Sequence, residues 1–486
     1  MESQTSSATP AGLRRHSRAS AMLPTTLALC LSACATYEPA PLAVGTVEAL
    51  SAYRDDVGVS AEDAASVELT LWQAAEWLRT RGPRVREAVA AYETALAKAG
   101  ISTPWPNPRV QFGPRFGFGS DVDVNEVVPF GSLSITIPLS GRLARQDDVN
   151  QALAQSARAD ALATFRELYL ELRSRYVRMA IAKEREAARS SVLEAAQSSL
   201  VAANELVAAG AATALDVSLF QLEHARERSR ELGAQLEATN SASDLSDLVA
   251  VSPWRLGVIP ENALPRTPSE IPTPTELRAL IVREHPDLLR LRADYEVVER
   301  RLHLEVTKQY PDLTVGSSLG GEPGERRTNL GLTLGIALPL FDRNQQAIAQ
   351  AQQQREEART RYESAAHGIL SSMERARAIL TLTSARHDVL REAVLPAAND
   401  NVQIARLSLE AGEAGALQLL DAERSLRQVQ IEVLEVQLAE QLAWSDLEKA
   451  VGFPLVEFRS DPEAGGRTPP RELTDQQEDK TEGEER

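Results

Sequence analysis

Between Arg142 and Glu205 the chain runs for 64 residues without a glycine or a proline. At 1.5 Å of rise per residue, a continuous helix over that stretch is ~96 Å long. A compact domain has no room for such a rod, so the chain is read as one built from long helices packed side by side. Phe165, Leu168, Leu172, Tyr176 and Met179 recur at steps of three and four and predict one packing seam along it. Near the other end of the chain, Leu426, Val429, Val433 and Val436 predict one apolar stripe, and Ile431, Leu434, Leu438 and Leu442 a second. Two stripes on one helix imply packing on both flanks, as in a closed ring of helices. Alanines at 152, 154, 157, 159 and 161 permit close approach, and the low aromatic content of 5% fits helix against helix better than a mixed core.

The design is written twice. Pro83 and Pro286 each open a helical stretch, and Pro108 and Pro311 each lead into a strand-like segment. Pro138-Leu139 and Pro339-Leu340 each close one, and Gly210 and Gly412 each break a long helical run. All four landmarks recur at a spacing of about two hundred residues, the mark of an internal repeat. Between the copies, Pro253 to Pro274 holds six prolines and reads as a linker. The expected organisation is therefore 1–33 export signal, 34–64 extended segment, 65–252 first repeat, 253–274 linker, 275–456 second repeat, and 457–486 an acidic tail with too few apolar residues to fold.

Each copy carries two segments that alternate with period two, which sorts side chains onto opposite faces of a strand. Val110, Phe112, Phe116 and Phe118 oppose Arg109, Gln111, Gly113, Arg115 and Gly117. Leu133, Ile135, Ile137 and Leu139 oppose Ser132, Ser134 and Thr136. In the second copy Leu313, Val315 and Leu319 oppose Thr314, Gly316 and Ser318, while Leu330, Leu332, Leu334, Ile336 and Leu338 oppose Gly331, Thr333, Gly335 and Ala337. Each segment has the length of a tilted strand crossing a bilayer, and the opposite face is small or hydrophilic, as beside a water-filled lumen. A bilayer tolerates no open sheet edge, and four strands close a barrel poorly. Sharing among three protomers gives twelve. The predicted fold is mainly α with a small β part: a trimeric α-barrel of long helices joined to a shared 12-stranded transmembrane β-barrel.

The N-terminus reads as an export signal. Arg14, Arg15 and Arg18 precede a short apolar stretch, Ala19 to Leu31, interrupted by Pro24, Thr25 and Thr26 and too short to span a bilayer. Leu31-Ser32-Ala33-Cys34 resembles a bacterial lipobox, which predicts a lipid anchor on Cys34; Ala35 after it suggests sorting to the outer membrane. The only other cysteine is Cys30, so the remainder of the chain has no internal disulfide and no thiolate metal site.

The formal net charge of −17 argues against a nucleic-acid partner, which requires clustered Lys and Arg. No nucleophile elbow, phosphate loop or paired-histidine zinc motif is present, so no enzyme is expected. His224, His285, His303, His367 and His387 are isolated in sequence and read as surface or packing residues. No metal site and no cofactor are expected.

Taken in order, signal, helix, β-hairpin, long helix, glycine turn and helix, then all of it again, resembles the TolC-like outer-membrane efflux family over residues 65 to 455. Leu338-Pro339-Leu340-Phe341-Asp342-Arg343-Asn344-Gln345 at the strand-to-helix junction carries the likeness, with Ala411-Gly412, Leu419-Leu420-Asp421-Ala422 and Leu447-Glu448-Lys449-Ala450-Val451-Gly452. The junction is most similar to the branch serving heavy-metal pumps, the CzcC and CusC type; in the first copy it is reduced to Pro138-Leu139-Ser140-Gly141-Arg142. The resemblance implies a homotrimeric duct in the outer membrane, reaching across the periplasm to an adaptor protein and an inner-membrane pump of the RND type. It also assigns Gly210, Thr213 and Asp216, with Gly412, Gln418 and Asp421, to the helical tips that dock the adaptor or gate the duct. Thr213 and Asp216 suit an acidic variant of the capping box equally well. Pro138, Pro339, Phe341, Asp342, Arg343 and Asn344 mark the strand-to-helix junctions. Pro396 is expected to kink the second long helix. The competing readings are a duct for organic compounds or for secreted protein, and a structural lipoprotein spacer without a barrel.

Overall fold

A computed structural model describes Tyr37, Pro39 and residues 69–116, 127–208, 213–253, 256, 264–265, 267–268, 270–321, 327–411 and 416–456. The signal, Cys34, Phe118, Gly210, Gly412 and the acidic tail lie outside the described residues. Apart from Tyr37 and Pro39, everything below belongs to one compact unit, Arg54–Arg486.

The first repeat comprises α1 (Leu71–Arg81), α2 (Pro83–Ala99), β1 (Arg109–Phe116), β2 (Val127–Ile137), α3 (Arg142–Ala208) and α4 (Ala214–Val249). The second comprises α5 (Pro274–Glu284), α6 (Pro286–Thr307), β3 (Leu313–Gly321), β4 (Thr328–Ile336), α7 (Gln345–Val389), a π turn (Leu390–Val394), α8 (Leu395–Glu410) and α9 (Ala416–Val451). The repetition extends to helix caps. Thr70 closes a capping box with Gln73 at the start of α1, and Thr273 closes one with Glu276 at the start of α5. Pro83 and Pro286 each occupy the first turn of the following helix, where the missing N–H costs nothing. Pro274 does the same for α5, so the last proline of the linker segment opens a helix.

Each repeat has its own core. Phe165, Leu168, Leu172, Tyr176 and Met179 of α3, the predicted seam, pack with Leu78, Val85, Leu245 and Val249. The equivalent core of the second repeat joins Leu277, Ile281, Leu288, Met373, Leu380, Trp444 and Leu447. A smaller cluster of Val177, Ile181 and Leu438 stitches α3 to α9 and so joins the two repeats. Of the stripes predicted for α9, Val436 is buried from one and Ile431 and Leu438 from the other.

The long helices differ. α3 is continuous for 67 residues, three beyond the stretch to Glu205. Its counterpart is interrupted by the π turn, where the Leu395 N–H donates to the Leu390 carbonyl just before Pro396. Proline has no N–H to continue the ladder, and a π turn is one way a helix absorbs that defect.

The strands form one antiparallel sheet in the order β1-β2-β3-β4, so the central pairing, β2 with β3, joins the repeats. Two boundaries differ from the sequence reading. β2 begins at Val127, ahead of the alternating segment, and pairs Pro129 with Pro114 of β1. Leu139 and Leu338 lie beyond the last paired residues, Ile137 and Ile336.

Candidate functional site: conduit faces, junctions and helical tips

The sheet register places Val110, Phe112 and Phe116 with Val127, Leu133 and Ile135, then Leu313, Val315 and Leu319, then Leu330, Leu332, Leu334 and Ile336, all on one face. That apolar face is largely exposed. Phe112 is 82% and Leu332 84% accessible. A sheet meant for water hides its apolar face; this one presents a largely apolar surface, interrupted by Ser317 between Leu133 and Leu332, as a lipid-facing wall does. The other face carries Arg109, Gln111, Arg115, Ser132, Ser134, Thr136, Thr314, Ser318, Asn329 and Thr333 with five glycines. On it the Arg115 guanidinium lies 4.1 Å from the centre of the Phe130 ring, and the Ser132 hydroxyl donates to Gln111 at 3.4 Å.

At the helical end of the sheet, two junctions turn strand into helix. Gly141, at φ 71°, precedes α3, and Asn344, at φ 58°, caps α7. Glycine reaches that left-handed region freely and asparagine does so more readily than most other residues. Asn344 is held there from both sides: its N–H donates to Asp342 Oδ1 at 2.9 Å, and its side-chain amide donates to the Glu305 carbonyl and carboxylate at 2.9 and 2.7 Å. Burial alone raises the Glu305 carboxyl, but hydrogen bonds from Lys308 and Asn344 outweigh it and hold the group below its ordinary value. In the first repeat the fastening is Arg142, which grips Asp312 through Nε at 3.2 Å and Nη2 at 2.9 Å. Pro138 follows the end of β2, and Pro339, Phe341, Asp342, Arg343 and Asn344 follow the end of β4, at the helical end of the same sheet.

At the far end of the helices, Thr213 immediately precedes α4 and Asp216 is its third residue, the Asp216 side chain lying outside what the structure describes. Gln418 and Asp421 lie in the first two turns of α9 and are exposed. Inward of the tips is a feature that one-dimensional reading missed. α3, α4 and α9 enclose a cavity of about 650 Å³ lined by Arg189, Glu223, Glu227, Arg230, Arg424 and Asp421, among others. Arg424 bridges to Glu223 at 3.1 Å, Arg230 pairs with the buried Glu227, and Arg189 reaches Glu435 at 3.2 Å. The residues come from three helices, and no local spacing betrays them. Likewise, Arg185 pairs with Glu237 at 2.5 Å in the first repeat, and the equivalent place in the second holds His387 and Glu440 at 2.8 Å. That histidine is therefore partnered across helices. Among the described residues no three His, Cys, Asp or Glu side chains are grouped to hold a metal ion, and no helix is long and apolar enough to cross a membrane.

Both repeats, over residues 76–251 and 277–453, match the family model for "Outer membrane efflux protein". This chain belongs to the outer membrane efflux protein family. It is 25% identical over 311 residues to the cobalt-zinc-cadmium resistance protein CzcC of Cupriavidus metallidurans, covering 63% of this chain and 72% of that one. It is also 25% identical over 334 residues to the outer membrane protein OprJ of Pseudomonas aeruginosa, covering 64% of this chain and 65% of OprJ, just under two thirds of its length. Among solved structures, a membrane protein from Pseudomonas aeruginosa superposes at a TM-score of 0.65 and 20% identity, over 86% of this chain and 99% of its own. CusC superposes at 0.63 and 15% identity, over 86% and 99%. The efflux family and the mainly helical, two-repeat fold with a small four-stranded sheet are thus as expected. The family is one of outer-membrane channels, not of enzymes.

Proposed function

We propose that three copies of this chain close a duct through the outer membrane, and that the duct passively conducts heavy-metal cations delivered by a periplasmic adaptor and an inner-membrane pump of the RND type. The single observation behind the duct is the sheet. Its four strands expose an apolar face and leave β1 and β4 as open edges, and a bilayer accepts strands only when those edges are closed. Behind the metal cargo stand the Leu338–Gln345 junction and the 25% identity to a cobalt-zinc-cadmium resistance protein over 72% of its length. In this reading selection happens upstream, and the duct needs no metal site of its own.

Cys34 carries the lipid anchor, and the tips at Gly210, Thr213, Asp216, Gly412, Gln418 and Asp421 meet the adaptor and hold the closed state. A conductance recording on Asp216→Ala trimers in planar bilayers addresses the tip. A leak supports gating, and unchanged conductance reduces Asp216 to a helix cap.

A second reading keeps the duct and changes the cargo to organic compounds, favoured by the equal identity to OprJ. A susceptibility panel on a deletion strain separates the two. Sensitivity confined to metal ions supports the metal assignment; sensitivity confined to dyes, detergents and antibiotics discards it.

A further inference from the structure

The two repeats fasten their helix pairs at equivalent places with different chemistry. In the first, Arg185 of α3 meets Glu237 of α4 at 2.5 Å. About two hundred residues further on, at the spacing of the repeat, His387 of α7 meets Glu440 of α9 at 2.8 Å. Arginine holds its charge throughout the physiological range, whereas histidine gains and loses its charge there. An ionised carboxylate can only accept, so His387 Nδ1 donates to Glu440 Oε2. A proton taken up at Nε2 leaves that bond in place and turns it into an ion pair. The pair is sheltered, at 17% and 15% exposure, so solvent and salt screen the added charge poorly. Its position gives it leverage. Toward the tips the first repeat has another crossing, from Arg189 of α3 to Glu227 of α4 at 3.9 Å. In the second, Leu390, three positions past His387, opens the π turn. The side-chain bonds of the π turn and α8 stay inside them, Arg391 with Glu392 at 3.2 Å and Asn399 with the Leu395 carbonyl at 3.0 Å. Arg386 reaches Glu432 at 3.0 Å, but both are well exposed, where an ion pair contributes little. Among the described residues, His387 thus makes the last sheltered polar link from its own helix to α9 before the tip.

We propose that His387 and Glu440 form a proton-operated latch: acid tightens α7 against α9 beside the π turn, neutral pH loosens it, and the first repeat is indifferent. The surrounding charges leave the pair to itself. On α9, Glu432 is taken by Arg386 and Glu435 by Arg189 of α3. On α7 the adjoining Asp388 is exposed, and in the π turn Arg391 and Glu392 pair with each other. α5 and α6 meet α7 earlier along its length, with Arg278 on Glu374 at 2.7 Å and Glu299 near Arg355 at 3.6 Å. The helix under the latch is also the one able to respond. α3 is continuous for 67 residues, whereas its counterpart already carries a π turn, and beyond that turn α8 is held to α9 by packing. The latch works within one chain, so it holds whichever cargo the duct carries.

Hydrogen–deuterium exchange on the full-length, detergent-solubilised protein tests it, at about pH 5.5 and about pH 7.5, with each rate divided by the intrinsic rate at that pH. In the parent, the amides of residues 387–394 are expected to exchange roughly fivefold more slowly in acid, the margin of a charge-assisted over a neutral hydrogen bond. Those of residues 185–192 should not change. His387→Arg, which installs the first repeat's chemistry, should exchange slowly at both pH values. His387→Gln keeps a neutral donor and should exchange quickly at both, and Glu440→Gln should lose the response as well. Equal corrected rates in the parent would overturn the latch. So would a pH response that survives in His387→Gln, or a slowing shared by both segments, which would belong to the whole fold. Should His387→Arg not assemble, the parent and His387→Gln decide the matter between them.

Discussion

Arg173 of α3 and Glu448 of α9, 275 residues apart, form a two-pronged ion pair with Nε–Oε2 at 3.0 Å and Nη2–Oε1 at 2.6 Å. Both side chains are almost fully buried, at 5% and 3% exposure. The pair also fastens the end of the fold: Arg173 donates to the Val456 carbonyl at 2.6 Å, and Glu448 accepts from the N–H groups of Leu455 and Val456 at 2.8 Å. One interaction therefore clamps the two repeats and the segment leaving α9. Removing one partner strands a buried charge, a loss of about 3–5 kcal/mol. Arg173→Met is expected to lower the melting temperature of the detergent-solubilised protein sharply. The paired change Arg173→Met with Glu448→Gln should recover much of it, because no unpaired charge remains. Equal melting of the single variant and the parent would sink this account.

Gly452 closes α9 against the corner where α5 meets α6. Its φ is +73°, its N–H donates to the Glu448 carbonyl at 2.9 Å, and a Cβ there would stand 2.5 Å from Pro286 Cδ and 2.9 Å from His285 Cδ2. Gly452→Ala therefore meets two penalties, about 1–2 kcal/mol for the left-handed backbone and a further ~1–3 kcal/mol for overpacking. Gly233 is the control: it is helical, and a Cβ added there would meet nothing within 4 Å. Gly233→Ala should leave stability unchanged or raise it by a few tenths to ~1 kcal/mol. Similar melting shifts for the two alanine variants would contradict the close approach at Gly452.

The same corner predicts a pH response. His285 caps α6, its Nδ1 accepting from the Asp287 N–H at 3.3 Å, and burial holds the imidazole below its ordinary value of 6.5 despite the nearby Asp287 charge. Only the neutral ring can accept that bond. The unfolded chain binds the proton more readily than the folded one. Stability is thus full above pH 6.5 and falls as the pH drops through the lowered folded value. Glu171 and Glu305, also held below their ordinary 4.5, lose their contribution only in a more acidic window. His285→Asn keeps a capping acceptor without the titration. Its melting temperature should be flatter between about pH 7 and 5 than that of the parent, and parallel curves would rule this origin out.

Which features were legible in the sequence follows from the range of the interactions behind them. The α3 seam from Phe165 to Met179, the strand alternation around Leu332 and the proline landmarks are periodic or local, and periodicity survives in one dimension. The junction at Asn344 is marked in the sequence by the likeness of Leu338 to Gln345 to the efflux family, and the bonds from Asp342 and Gln345 that shape its turn are local. Arg173 and Glu448, or Arg189, Glu227 and Arg424, gave no such sign. They lie among many other charges on long helices, and only the packing of α3 against α4 and α9 selects partners. His387 stands alone in the sequence for the same reason, since Glu440 reaches it from another helix. The start of β2 was missed because Pro129 discourages a strand reading; in the sheet it is accommodated opposite another proline, Pro114.

Leu332 and Thr333, adjacent in β4, test the two faces of the sheet directly. Leu332 points to the exposed apolar face, whereas Thr333 lies on the polar face opposite Gly316. An arginine on the lipid face near mid-bilayer costs about 2–4 kcal/mol per chain, while a lumen position leaves the same group hydrated. In a threefold barrel each substitution appears three times, so the difference is multiplied. Leu332→Arg is expected to deplete the heat-sensitive oligomer from outer-membrane fractions, and Thr333→Arg to assemble normally while altering the ion selectivity of the pore. The reverse ranking would mean that the apolar face looks inward, and the assignment of lipid and lumen would have to be exchanged.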